Sequence, residues 1–466
     1  MKHTAHGYWL EEAGAPEPAP PLSDDLSADV VVVGGGFTGL WTAWHAKALE
    51  PEARVVLLEA AETCGLGPSG RNGGFCNTMW FSLPSMRRRW GEARALEVAR
   101  AAEAAVDAIG SFCREQAVDA WFHRAGYLQV STAAAHDGAW ADAVLACCEL
   151  GAAAAVYPLS PAEVAECCAS PAFRAGAFYP ASATVQPARL AFGLRDRLIA
   201  AGVRVFESTP VRSLREAPGG VEAQTPGGTV RAKAGVLAIG GAARGRHAPL
   251  QGRLSIVSSH IVLTEPVPDV LEQVGWTAGE CITDSRSLID YFRTTPDGRI
   301  AFGWGGGRIA LGARLHRRAE LDREVIAATA EHLRSYFPGL AGRRITHAWG
   351  GPIDASPTHL PLVLPLPAGR VFAAAGYTGN GVGPSNMVAR SLASLTLGRS
   401  DAPSRLAFID PKPPRVPPEP LHWIGGEAIR LGIMAKEEAE LSGRAPGRLA
   451  SALAHVPDLI GFHIGR

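Results

Sequence analysis

Asp29-Val30-Val31-Val32-Val33-Gly34-Gly35-Gly36-Phe37-Thr38-Gly39-Leu40 is the stretch on which the fold of this 466-residue chain turns. The valines lack the polar alternation of a half-exposed strand, so they predict a strand buried on both faces, as in a parallel sheet. Gly34-Gly35-Gly36 breaks it, and from Phe37 to about Leu49 the apolar spacing becomes helical until Pro51. Arg54-Val55-Val56-Leu57-Leu58 predicts a second buried strand that ends at Glu59. Strand, glycine turn, helix and strand within roughly 30 residues make a βαβ unit. Each glycine of Gly34-x-Gly36-x-x-Gly39 then has a use: a tight turn, close approach of a pyrophosphate, and packing of helix on strand. The amino end of the helix offers N–H groups and partial positive charge to phosphates. Glu59, 20 residues past Gly39, stands where a carboxylate accepts hydrogen bonds from a ribose diol and repels a 2′-phosphate.

Two further glycine-rich stretches extend this reading. Ser69-Gly70-Arg71-Asn72-Gly73-Gly74 lies in a loop spanning 64–78 and combines small residues with donors. Backbone that approaches a flavin ring edge-on needs glycines, and Arg71 could meet a phosphate or the electron-rich pyrimidine end. Gly376-Tyr377-Thr378-Gly379-Asn380-Gly381-Val382-Gly383 lies between a buried strand at 371–376 and a helix at about 385–397. Such a turn presents N–H groups to an anion, and donors there favour a reduced flavin. The three stretches together point to FAD.

The remaining pattern is mixed. Helices are expected at 84–118, 134–155, 160–168, 190–201 and 323–336, with a short strand at 203–206. Strands at 221–225 and 229–232 suggest a small meander, and 235–241 returns to a buried strand ending at Gly240 and Gly241. Residues 251–310 are strand-rich, with a turn at Pro296-Asp297-Gly298. A Pro-rich linker at 411–420 leads to an amphipathic helix near 422–442. Its apolar stripe, Ile424, Ala428, Leu431 and Ala435, docks on its own domain or faces a second subunit or a membrane surface. The expected class is α/β with an α+β substrate part: a Rossmann-type FAD-binding domain and a second, sheet-containing substrate domain. The FAD-binding segments are 25–80, 180–250 and 340–400, and the substrate domain comprises 81–179 and 251–339. An irregular lead-in fills 1–24, and the linker and helix fill 411–466.

Composition excludes several classes. Lys+Arg and Asp+Glu are both 45, which leaves no net charge to attract nucleic acid or an anionic membrane. The cysteines form no CxxC, and no His spacing completes a metal site, so no metal is expected. The first residues carry no apolar signal core, and no stretch of 18 apolar residues predicts a membrane span. The reading is a protein of the reducing cytoplasm.

The fingerprint VVVVGGGFTGL, the strand ending at Glu59, the SGRNGG loop, the LAIGG strand and the GYTGNGVG turn resemble the D-amino-acid-oxidase type of FAD-dependent oxidoreductases. Within that group the SGRNGG loop is similar to γ-glutamylputrescine oxidoreductases. Asp284-Ser285-Arg286 and the run from Tyr291 to Arg299 resemble a branch proposed as aminophosphonate oxidoreductases. The resemblance spans about Trp9 to the C-terminal helix. It implies cofactor contacts at Gly34, Gly36, Phe37, Thr38, Gly39, Glu59, Ser69 to Gly74, Val211 (at adenine), Gly240, Gly376, Gly379, Asn380, Gly381 and Val382. Phe75 departs from the Gln typical of the γ-glutamylputrescine group. No Cys lies in the 376–383 turn and none follows Cys281, so the FAD is expected to be non-covalent.

In such a site a neutral amine gives up hydride to flavin N5. The resulting imine hydrolyses, and O2 is reduced to H2O2. A dehydrogenase passing electrons to a quinone or protein, or a biosynthetic tailoring enzyme, would share these motifs. Substrate contacts are expected from 251–310 and from a loop at 346–360. Arg293 is the candidate anchor for a carboxylate or phosphonate, with Tyr291 two residues away on the same strand face. Otherwise Arg293 pairs with Asp284 or Asp297. His347 and His260 could orient an amine or sit satisfied in the core. Tyr377 could wall the cavity or pack in the core.

Overall fold

Residues 30–33 and 55–58 are buried along their whole length, as a strand covered on both faces requires. The computed structural model describes residues 2–3, 7–243, 250–313, 320–462 and 464. Leu26–Val33 lies between Val55–Leu58 and Thr229–Leu237; Arg204–Phe206 and Val371–Ala375 lie beyond them, all parallel. Helices Phe37–Leu49 and Val382–Thr396 cover one face, where Val30 and Val32 meet Leu40, Trp41, Val388 and Leu392. On the other face Val31 and Val56 pack with Val221 and Val230 of an antiparallel meander. Thr229–Leu237 is one strand rather than two, because nothing at Lys233-Ala234 stops it. Nearly its whole length pairs with Leu26–Val33; its first half also pairs with Gly220–Gln224 of the meander and its second half with Val371–Ala375.

The second sheet has nine strands. In spatial order they are Lys2–His3, Ile345–Ala355, Ser255–Thr264, Ile300–Trp304, Asp290–Thr294, Cys281–Asp284, Tyr127–Val130, Gly176–Tyr179 and Tyr157–Leu159. It is antiparallel except where Lys2–His3 meets Ile345–Ala355 and Cys281–Asp284 meets Tyr127–Val130. The period of two separates its faces. Leu128, Ile282, Phe292, Phe302, Val262 and Ala348 pack against the helix Arg323–Tyr336. The alternate residues, among them Ser255, Val257, Ser259, Ile261, Tyr291 and Trp349, face a large cavity.

Several expectations change. The lead-in 1–24 is not wholly irregular: Gly7–Ala13 is a helix whose Trp9 is fully buried edge-on to Trp349. Within 64–78, Pro68–Arg71 forms a helical turn with Pro at its start. The stretch 134–155 is interrupted, with an α-helix only at Ala141–Glu149, because Gly138 and Gly151 adopt positive φ. Ile345–Ala355, expected in the FAD-binding segment 340–400 and partly as a loop, is a strand of the second sheet. The C-terminus holds two helices, Leu421–Leu441 and Arg448–Leu459. The expected docking stripe points outward, with Ile424 54% and Leu431 56% exposed. The covered face is offset from it and carries His422, Ile433 and Glu437. Among the described residues, no helix is long and apolar enough to cross a membrane.

Candidate functional site

A single cavity of about 1210 Å³ runs from the carboxyl ends of the parallel strands to the open face of the second sheet. The C-terminal helices close part of it through Ile429, Ile433 and Val456. At one end Gly34 holds φ at +112°, and a Cβ there would overlap the Ala238 carbonyl. Gly39 lies behind the wall, where a Cβ would overlap the Gly34 carbonyl oxygen. The helix therefore begins flush against the strand, with Gly35, Gly36, Phe37 and Thr38 on the cavity. A second helix amino end, at Gly381 and Val382, reaches the same cavity from the Val371–Ala375 side.

Side chains lock these turns to one another. Ser69 Oγ accepts the Phe37 N–H at 2.9 Å, and Asn72 Oδ1 accepts the Gly74 N–H at 2.7 Å. Tyr377 and Thr38 share a hydroxyl hydrogen bond of 2.7 Å, tying the C-terminal turn to the first helix. Burial raises the Tyr377 phenol, so it stays protonated. Glu59 accepts the N–H groups of Gly35 at 2.5 Å and Ala61 at 2.7 Å, and desolvation raises its pKa. Asp354, unremarked in the sequence, accepts the Gly376 N–H at 2.8 Å. Desolvation pushes its carboxyl up to about 6.

Of the residues expected at the cofactor, Gly34, Gly36, Phe37, Thr38, Glu59, Ser69, Arg71, Asn72, Gly73, Val211, Gly240, Gly379, Asn380, Gly381 and Val382 line the cavity. Gly39, Gly70, Gly74 and Gly376 stand behind it and shape the turns; a Cβ at Gly70 would overlap the Gly65 carbonyl, and one at Gly74 the Val185 carbonyl. The wall also carries Asn77, whose buried Nδ2 has no hydrogen-bond partner among the described residues. Two helix amino ends, a carboxylate at a strand end and an unpaired buried amide fit a dinucleotide with a polar ring system.

The expected substrate residues divide. Tyr291 is on the wall, edge-on to Phe75, with its hydroxyl 2.7 Å from Ser259 Oγ, and burial pushes it up to about 12. Arg293 is not: it is 3% exposed and donates to the carbonyls of Val185 at 2.5 Å, Gly74 at 3.3 Å and Thr294 at 3.0 Å. Burial with no carboxylate among these partners lowers it to about 10. It therefore stands off the cavity wall with its donors on carbonyls, and it pairs with neither Asp284 nor Asp297. Those acids bind Arg286 and Arg299 instead. His260 is fully buried, and its Nε2 accepts the Asp322 backbone N–H at 3.0 Å at the start of the Arg323–Tyr336 helix. His347 sits off the cavity, between Thr346 and the Tyr8 ring. The guanidinium groups on the wall are Arg71, 3.4 Å from Glu320, and Arg430, 2.9 Å from Glu427. Sequence reasoning missed Ser255, at the head of a sheet strand, and Arg430 and His422, which reach the cavity because the Leu421–Leu441 helix folds back over the sheet.

Comparison with known proteins agrees with this architecture. A family model described as FAD dependent oxidoreductase matches residues 29–395. A probable oxidoreductase, OrdL, of Rhizobium meliloti (strain 1021) is 29% identical over 408 residues, covering 84% of this chain and 89% of that one. The γ-glutamylputrescine oxidoreductase of Escherichia coli (strain K12) is 27% identical over 456 residues, covering 95% and 98%. Glycine oxidase from Geobacillus kaustophilus superposes with a TM-score of 0.64 at 21% identity, over 81% of this chain and 96% of that one. L-amino acid deaminase from Proteus vulgaris gives 0.65 at 19% identity, over 86% and 96%. At such identities the two structures speak for the fold.

Proposed function

The chain belongs to the FAD dependent oxidoreductase family, and from that premise we propose that it oxidises an amine bearing an anionic group, with non-covalent FAD and O2 as acceptor. The observation that carries this reading is the continuity of one cavity from the Gly34–Gly39 turn to the face holding Tyr291, Ser259 and Trp349. Bound FAD supplies the two-electron acceptor for the reaction. Gly34, Gly36 and Thr38 hold the pyrophosphate, Glu59 the ribose and Val211 the adenine. Ser69, Arg71, Asn72 and Gly73, with Gly379 to Val382, would hold the flavin. Gly39, Gly70, Gly74 and Gly376 act by keeping these turns close.

On the substrate side, Phe75, Tyr291 and Trp349 exclude water, which favours the neutral amine that must react. Arg71 and Arg430 take over the anion-binding part once considered for Arg293. Amino compounds are named for the Escherichia coli relative and for both superposed structures, which supports the amine class. Among the described residues no cysteine lines the cavity, and burial raises the nearby Cys64 thiol well above its ordinary value; both favour a non-covalent cofactor. All eight cysteines are free thiols, in keeping with a cytoplasmic site of action. We divide the chain into a FAD-binding part of 25–80, 180–250 and 356–400 and a substrate part of 81–179 and 251–355.

The test is anaerobic bleaching of the purified yellow protein by glycine, L-proline, putrescine and 2-aminoethylphosphonate. At least one should reduce the flavin, and admission of air should restore the colour rapidly. No bleaching by any amine would overturn the amine assignment, and slow recovery in air would replace O2 with a quinone or protein acceptor.

A further inference from the structure

Ser255 and His422 stand on the cavity wall, and Glu419 bonds to His422 from behind it. Ser255 opens the strand Ser255–Thr264 and shares its cavity-facing side with Val257 and Ser259. Its Oγ is 2.7 Å from Nε2 of His422, in the first turn of the Leu421–Leu441 helix. The other ring nitrogen, Nδ1, is 3.2 Å from Oε1 of Glu419. Glu419 is itself held: Oε1 accepts the Gly312 N–H at 2.9 Å and Oε2 the Trp423 N–H at 3.2 Å. A carboxylate accepts only, so Nδ1 carries the proton toward Glu419 and Nε2 accepts from the serine hydroxyl. Ser255 pairs in register with Ala355, which bridges to Tyr377, so the array sits beside the Gly376–Gly381 turn.

Amine oxidation gives this geometry a task. An ammonium has no lone pair to support loss of hydride from the adjacent carbon, so one proton must leave first. The step needs a base with a free lone pair in reach of the ammonium, and the imidazole, with its proton on Nδ1 toward Glu419, offers the Nε2 lone pair through the Ser255 hydroxyl. The carboxylates on the wall are committed elsewhere: Glu59 to Gly35 and Ala61, Asp354 to Gly376, Glu320 to Arg71. The charged groups in the first three turns of the helix are Glu427 and Arg430, with Lys436, Glu437, Glu438 and Glu440 further along it, Arg253 before the strand and Asp354 on the neighbouring strand; Glu419 is the one bonded to the ring.

We propose that Ser255, His422 and Glu419 form a proton-accepting chain for the substrate ammonium. The ammonium gives a proton to Ser255 Oγ as the serine's own proton passes to His422 Nε2. This leaves a neutral amine and an imidazolium facing the Glu419 carboxylate. The inference rests on the amine reading above.

Its test is stopped-flow anaerobic flavin reduction in the holoenzyme from pH 6 to 10.5, with the same four amines as probes. Wild type should keep far more of its pH 10 rate at pH 7 than either variant below. His422→Asn should reduce the flavin about 100-fold more slowly at pH 7. It should recover the wild-type rate as pH approaches the amine's own pKa, about 10. Ser255→Ala should show the same rising profile, and it carries the test if His422→Asn fails to retain its flavin absorbance. An unchanged profile, or a loss equal at every pH, would overturn the proton chain while leaving amine oxidation standing. Failure of all four amines to reduce wild type would remove the amine reading and the chain together.

Discussion

The two ends of the cavity are built on different principles. At the Gly34–Gly39 end the wall is largely main chain, and the side chains present, such as Ser69 and Asn72, serve to bond backbone N–H groups. At the sheet end the wall is side chain, with Ser255, Ser259, Tyr291 and Trp349 brought from separated strands and His422 from the C-terminal helix. Backbone recognition demands particular local conformations and close approaches, which only a few residue types permit. Side-chain recognition demands only that the right groups arrive, from whatever part of the chain. Substitutions at the first end should therefore act on cofactor retention, and those at the second on turnover.

Gly39→Ala puts that contrast under the greatest strain. Its methyl would overlap the Gly34 carbonyl oxygen, a backbone atom fixed between two strands, so the helix must move. A loss of about 3 kcal/mol is expected in denaturant unfolding, with most of the FAD absorbance lost on purification. Retention of full colour would mean that the helix start is not pinned as described. Arg293→Met comes next. It removes the donor shared by the Gly74 and Val185 carbonyls and should cost about 2 kcal/mol. Because Arg293 stands off the cavity, the KM for an anionic amine should hold within twofold, on the order of 0.4 kcal/mol. A tenfold rise in KM would return it to the role of substrate anchor.

Tyr291→Phe tests the sheet end directly. It removes the hydroxyl bonded to Ser259 while leaving the ring against Phe75. Flavin content should be unchanged and kcat/KM should fall about tenfold; a colourless variant would show that the two ends are not separable. Glu437→Gln has the smallest expected effect and concerns the roof. Glu437 Oε1 accepts the Ser287 N–H at 2.7 Å and the Leu288 N–H at 3.3 Å, and desolvation pushes its carboxyl up to about 7. With the folded pKa above the ordinary 4.5, the native state holds this proton more tightly than the unfolded chain does. Its contribution is thus fully present at low pH and is lost as pH rises toward 7. From pH 5 to pH 6 the stability difference should shift in favour of Gln by about 1 kcal/mol. A difference independent of pH would place Glu437 in ordinary, unperturbed surroundings.

The glycine fingerprint, the helix opening at Phe37 and the end of the second strand at Glu59 were legible in the sequence, as was the hairpin around Pro296-Asp297-Gly298. Each depends on residues within a few positions of one another. The meander was legible only in part, since the change of partner along Thr229–Leu237 has no residue signal of its own. The apolar stripe of the C-terminal helix misled because Ile424 and Leu431 are spaced like core residues yet stay exposed; the covered face holds His422 and Glu437, which read as surface. Arg293 misled for a related reason. Its strand position and guanidinium suit an anion, but its partners are three carbonyls, two of them on distant loops, and carbonyls leave no mark in sequence.

Local chemistry was enough to establish a glycine-lined nucleotide turn, because backbone conformation near a phosphate limits which residues can stand there, and the same stretches carried the resemblance to the family and its cofactor. Folding alone chose which side chains meet across the cavity: Tyr377 with Thr38, Tyr291 with Ser259, and Ser255 with His422. Those pairs join segments far apart in the chain, and their geometry is set by sheet register and helix docking. Neither is encoded at the residues that make the contact.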